Sequence, residues 1–269
     1  MVAGRLFLVV ACIGLFFSGF AFADIFMVNP VSQRVVSGTE LDVGAIQPGQ
    51  ELELIISKDS FYGKASGWIQ AFVVPESLPA GWVKKDSELR GETLIVRVLP
   101  PLNAPEQVYV FDVRVLSSSP GVGDERVRVS LGVRRDLLKA VMPELKKSTS
   151  VDAPAQFPLN IINNSVSRER VFISSNIPRS WFKPLEAELE SNSLRELELE
   201  VSPKVHGVKD FVFTVQPASN PSVSHVFNAT VEVHPTLKNK YSTSLYAFPF
   251  YTISILPYYL VNSFLSLLL

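Results

Sequence analysis

From Asp24 onward, apolar and polar residues alternate with a period of two through short runs, and clusters containing Gly and Pro separate those runs. Glu51 to Ile56, Trp68 to Val74, Thr93 to Leu99, Val108 to Leu116 and Arg126 to Val133 each read as a strand. In the last of these, Val127, Val129 and Leu131 alternate with Arg126, Arg128 and Ser130, which gives one face to a core and one to water, as antiparallel sheets do. No long stretch of helical period lies between the runs, so an α/β plan of alternating strands and helices is disfavoured. The pattern predicts an all-β body of antiparallel sheets.

The second half of that body echoes the first. Pro48-Gly49-Gln50 ahead of Leu52 and Leu54 returns as Pro154-Ala155-Gln156 ahead of Leu159 and Ile161, and Leu78-Pro79-Ala80-Gly81-Trp82 returns as Ile177-Pro178-Arg179-Ser180-Trp181. The strand ending at Pro100 matches the strand ending at Pro203. A repeat of about one hundred residues is a duplicated domain, not a short-period solenoid. Several short strands with turns between them in each copy form the pattern of an Ig-like sandwich. The expected organisation is 24–140 for sandwich one and 141–240 for sandwich two. Leu137, Leu138, Val141 and Leu145 would close the first copy as a strand or short helix, and Lys146 to Ser150 would be the hinge.

The two ends of the chain read differently. Met1 to Ala23 carries one basic residue, Arg5, then the apolar run Leu6 to Phe20, then Ala21-Phe22-Ala23, which is the layout of a secretory signal peptide. Removal after Ala23 would also remove Cys12, the only cysteine, and leave a body without thiol chemistry. Tyr241 to Leu269 contains no charged side chain and predicts one C-terminal transmembrane helix, since a span needs about 20 apolar residues. Pro249 and Pro257 would interrupt that helix, and Thr252, Asn262 and Ser266 would place polar groups in lipid. These five positions are the candidates for membrane docking against another membrane protein. Lys238 and Lys240 flank the span on what would be its outer side, against the usual cytoplasmic excess of basic residues.

Charge excludes one class of partner: 26 acidic residues against 25 basic ones leave a net charge of −1 and no basic field for nucleic acid. The chemistry of catalysis is equally thin. His206, His225 and His234 stand in no metal-type spacing, and no Gly-x-Ser-x-Gly elbow occurs. The row Glu196, Glu198 and Glu200 alternates with Leu197, Leu199 and Val201, so it reads as the wet face of a strand and not as a cation site. No catalytic, cofactor or metal-binding residue is assigned. Phe61, Tyr62 and Trp68, in and beside the insertion Ser57 to Gly67, are candidate contacts for a glycan or a protein, because aromatic residues on loops of a rigid scaffold make binding surfaces; Trp68 begins a strand, and for it core packing is the favoured reading. Asn163 and Asn228 open glycosylation sequons that have meaning only on an exported chain.

The run from Pro154 to Val233, with its Ile-Pro-Arg-Ser-Trp corner, its Glu-Leu-Glu-Leu-Glu-Val strand at 196 to 201 and the following Pro203, resembles the Ig-like β-sandwich modules associated with alpha-galactosidases and with archaeal and bacterial surface proteins. Pro48 to Val133 is a more divergent match. Such modules space, present or bind, which implies a non-catalytic role; together with the signal peptide and the C-terminal span, the expectation is an exported, membrane-anchored protein that meets a membrane or surface partner. A cell-surface glycan-binding or adhesion module, or an accessory part of a surface hydrolase, are the other readings the resemblance leaves open.

Overall fold

The computed structural model describes residues 25–58, 68–117, 123–236 and 256–268. The expected signal peptide, Phe61, Tyr62, Pro249 and Thr252 lie outside the described residues. The chain separates into two compact units, Met1–Arg135 with Ser165–Ser167, and Asp136–Asn164 with Arg168–Leu269.

In the first unit, β1 (Ile25–Asn29), β2 (Gln33–Val35), β4 (Leu52–Ser57), β6 (Val83–Arg90) and β7 (Thr93–Leu99) form one sheet in the order β2-β1-β4-β7-β6. A second sheet, in the order β3-β9-β8-β5, is made of β3 (Glu40–Ile46), β5 (Trp68–Val73), β8 (Val108–Ser117) and β9 (Glu125–Val133). The alternation seen in the sequence is what fills the space between them: Leu52, Leu54 and Ile56 share one core with Phe111, Val113 and Val115, and with Val127, Val129 and Leu131. All pairs are antiparallel except β3 with β9.

The second unit has a sheet β10-β12-β15, from β10 (Leu138–Val141), β12 (Ala155–Asn163) and β15 (Ser193–Val201). Its partner sheet runs β11-β17-β16-β13-β14, from β11 (Lys146–Ser150), β13 (Glu169–Ser175), β14 (Leu185–Leu189), β16 (Gly207–Pro217) and β17 (His225–His234). Here β11 lies parallel to β17. The core is more aromatic: Phe157, Phe182 and Phe211 all pack on Phe213 with ring centroids 5.2 to 5.7 Å apart, in the edge-on geometry that aromatic quadrupoles favour.

Both strand orders are those of Ig-like sandwiches: a sheet built on the first, second and fifth principal strands faces one built on the third, sixth and seventh. Two side chains of the first unit belong to the same plan. Trp68 opens the third principal strand, β5, and is fully buried. Tyr109, near the start of β8, donates from its hydroxyl to the Pro105 carbonyl, 3.1 Å away and four residues upstream, as the tyrosine corner does.

Three expectations need correction. The stretch Lys146 to Ser150 is not a hinge but strand β11, and Leu138 to Val141 pairs with β12, so both belong to sandwich two. Short strands with polar faces carry too little periodic signal to be read alone. The echo of Gly49 is Asp152, not Ala155: Gly49 (φ 80) donates to the Pro100 carbonyl at 3.2 Å, and Asp152 (φ 67) donates to the Pro203 carbonyl at 2.9 Å. The left-handed turn is the repeated feature, and two different residues supply it.

The third concerns the C-terminal segment. The described helix, α1 (Leu256–Leu268), has 13 residues, about 20 Å at 1.5 Å per residue, against about 30 Å of hydrocarbon. No helix among the described residues is long and apolar enough to cross a membrane. Pro257 does not interrupt this helix; it occupies the first turn, where its missing N–H would have had no intrahelical partner anyway.

Candidate functional site

The aromatic cluster expected around the insertion does not form a surface at Trp68. That side chain is 0% exposed, and its backbone pairs with Ser117, because the inward phase of β5 continues from Trp68 through Ala71 to Val73. Its indole Nε1 is buried without a hydrogen-bond partner, a cost accepted for filling the core. The two sequons also differ. Asn163 is buried and its Nδ2 donates to the Glu190 carbonyl at 2.8 Å, so the nitrogen that glycosylation would modify is held inside the fold. Asn228 is exposed on β17, opposite Val212.

The helix α1 exposes large apolar side chains, with Tyr258, Val261, Phe264 and Leu267 each 60% exposed or more. Asn262 and Ser266 are exposed as well, and Ser266 returns its hydroxyl to the Ser263 carbonyl at 3.0 Å.

Two of the three histidines hold bonds within the fold. His225 Nε2 lies 3.0 Å from the Leu138 carbonyl, and His234 Nε2 lies 3.0 Å from Ser148 Oγ. No group of three or more His, Cys, Asp or Glu side chains among the described residues is arranged to hold a metal ion. Among the described residues, Glu169 is the one carboxyl group held above its ordinary range, because burial disfavours its charge. The Ser219 hydroxyl at 2.5 Å and the Ser219 and Arg170 amides at 3.2 and 3.1 Å offset that only in part. Its partners tie the turn after β16 to the start of β13.

A groove of about 420 Å³ lies beside the end of β15, lined by Arg179, Trp181, Lys183 and Leu185 and by Glu198 and Glu200. Trp181 does not plug the core as Trp82 does. Trp82 is 8% exposed and packs on Tyr109 and Phe111, with centroids 4.9 and 6.2 Å away. In the second unit the next residue, Phe182, takes the core position at 3% exposure and leaves Trp181 half-buried at the groove.

Strand β15 forms the edge of its sheet, paired to β12 on one side only. The Ser202 N–H beyond its end donates away from β12 to the Trp181 carbonyl at 2.8 Å. The two-residue period of a strand then turns the N–H and C=O groups of Glu200, Glu198 and Glu196 to that same free side. No backbone hydrogen bond from the described residues closes it there.

The chain matches no family model and no curated protein sequence. Among solved structures it is similar to a chimeric titin Z1Z2 functionalised with a KLER exogenous peptide from decorin, at 10% identity over 80% of this chain and 98% of that one, with a TM-score of 0.39. It is also similar to the tandem Ig repeats of Dlar, at 7% identity over 80% of this chain and 100% of that one (TM-score 0.26). A protein of unknown function from Porphyromonas gingivalis W83 aligns at 15% identity over 79% of this chain and 97% of that one (TM-score 0.30). Strand order defines the class: the chain is a tandem Ig-like β-sandwich protein.

Proposed function

We propose that this chain is a non-catalytic, exported and membrane-anchored protein that presents its two Ig-like sandwiches to a protein partner, as a subunit of a membrane or cell-surface complex. The observation that supports this reading is the exterior of α1. Seven large apolar side chains, Tyr258, Tyr259, Leu260, Val261, Phe264, Leu265 and Leu267, stand 45% exposed or more on one short helix. An apolar patch of that kind on a protein surface marks contact with a membrane or another protein. With the uncharged residues from Tyr241 onward it gives a segment suited to lipid, delivered there by the leader-like stretch Met1 to Ala23. Thr252, Asn262 and Ser266 then serve docking on a neighbouring membrane protein, and the narrower kinship to alpha-galactosidase-associated surface modules fits the same role. The glycan-binding alternative loses Trp68, which is buried.

The test replaces Tyr241–Leu269 by a poly-Leu span of equal length and purifies both forms in mild detergent. The reading expects the native form to fractionate with membranes, its sandwiches cut by protease added from outside, and to bring down a membrane protein that the poly-Leu form loses. A native chain recovered in the soluble fraction, or sandwiches protected from external protease, contradicts it.

A further inference from the structure

We propose that the free edge of β15 accepts an extended peptide strand whose side chains alternate between basic and apolar, adding a fourth strand to the sheet β10-β12-β15. The site deepens the partner-binding reading above and rests on it: it says where the second sandwich takes hold of a protein and by what chemistry.

Three independent observations lead here. The first is that every other sheet edge among the described residues is blunted in the ways that discourage strand addition. In the first unit, edge strands β3, β5 and β6 each carry a register shift, and β2 spans 3 residues. In the second, β10, β11 and β14 span only 4 or 5 residues. Strand β15 spans 9 and pairs with β12 in unbroken register from Ser193 to Val201.

The second is charge. Glu196, Glu198 and Glu200 lie opposite Asn160, Pro158 and Gln156 on β12, so their cross-strand neighbours are all neutral. None of the three is in an ion pair among the described residues, although Arg97 on β7, the equivalent strand of the first unit, is paired with Glu53 at 2.8 Å and Glu88 at 2.9 Å. A strand laid beside β15 would put every second side chain next to this row of glutamates, and like charges there repel while Lys or Arg attract.

The third is the groove. On the inward phase of an added strand the side chains meet Leu197, half-buried against the core, and then Trp181 and Leu185 on the groove wall, which also carries Arg179 and Lys183 and so favours apolar over basic side chains on this phase. Leu185 is 40% exposed, so this wall offers apolar surface that the fold leaves uncovered. Main-chain bonds to Glu196, Glu198 and Glu200 would supply affinity, and the alternation basic outward, apolar inward would supply specificity, as in other cases of β-strand addition. The antiparallel direction is assigned, since that pairing is the more stable per residue.

The experiment uses the full chain in detergent micelles and an N-acetylated nonapeptide alternating Val and Lys. Binding is followed by fluorescence anisotropy and by amide exchange of β15. The proposal expects saturable binding that slows exchange at Glu196, Glu198 and Glu200. A peptide N-methylated at the alternate residues that would bond to β15 should bind at least tenfold more weakly, as should a Val/Glu peptide. Glu196→Gln, Glu198→Gln and Glu200→Gln combined should lower affinity for the Val/Lys peptide at least tenfold while leaving the thermal midpoint near the wild-type value. Undiminished binding of the N-methylated peptide would reduce the effect to loose electrostatics and overturn the proposal, and so would protection at another edge or no binding at all. Retention of a co-purifying membrane partner by the triple variant, with the peptide result negative, would sink this site and leave the membrane-subunit reading standing.

Discussion

The two sandwiches are copies of one plan, yet the strand after the Trp corner goes to opposite sheets. In the first unit the chain leaves Trp82 directly into β6, which pairs with β7 from Val83↔Leu99 to Arg90↔Thr93 and covers its edge. In the second it leaves Trp181, buries Phe182, passes Lys183-Pro184, and forms β14 on the partner sheet beside β13. The cause is local. Val83, where the second copy has Phe182, stays 54% exposed and keeps the chain on its own sheet. Phe182 pulls the chain into the core against Phe213, 5.3 Å between centroids, and Pro184 removes a backbone donor at the point where pairing with β15 would begin. One aromatic and one proline thereby leave an edge open in the second copy that the first keeps closed.

Substitutions that break this comparison should have graded effects. The largest is at the residues that commit each core. Trp68→Ala in the first unit and Phe182→Ala in the second should each cost about 3 to 5 kcal/mol in denaturant unfolding. The matched change Val83→Ala should stay within about 0.5 kcal/mol, because an exposed side chain leaves no cavity. Equal effects of Val83→Ala and Phe182→Ala would erase the distinction between the corners.

A smaller effect is expected at Tyr109. Tyr109→Phe keeps the packing on Trp82 but removes the bond to the Pro105 carbonyl, and should cost about 0.5 to 1.5 kcal/mol. The second unit has no tyrosine in β16, so the corner is a reinforcement of the first copy alone.

The smallest effect is one of pH. Burial raises the Glu169 carboxyl in the folded state, so the native form holds a proton more firmly than the unfolded chain. That contribution is fully present below the ordinary carboxylate value and is lost as pH rises through the raised native value. Glu169→Gln should therefore gain on the wild type as pH rises across this window, measured as the difference in unfolding midpoint at each pH. A difference that stayed flat with pH would mean that Glu169 keeps its ordinary value in the fold.

How much of this was legible in the sequence follows from period and length. Strand β7 falls at Thr93 to Leu99 as the alternation predicts, and the glutamates of β15 are exposed because Leu199 and Val201 demand the interior. The duplication was visible in the Pro-x-x-Trp corners, and their shared turn is real: Trp82 N–H bonds to the Pro79 carbonyl at 3.2 Å and Trp181 N–H to that of Pro178 at 2.8 Å. What alternation cannot report is which sheet a strand joins, since β6 and β14 would alternate alike on either. Trp68 can be read as a loop aromatic, but its place at the start of a strand favours the core, and its burial bears that out. The open edge was invisible for the same reason: it depends on where β14 is not.

Residue-resolved amide exchange on the full chain tests the difference between the copies most directly. The account predicts that Glu196, Glu198 and Glu200 exchange rapidly while Leu197 and Leu199, bonded to β12, stay protected, whereas Leu94, Ile95, Arg97 and Val98 of β7, paired with β4 on one side and β6 on the other, are all protected. Uniform protection along β15, equal to that of β7, would show its edge to be covered and would contradict the account.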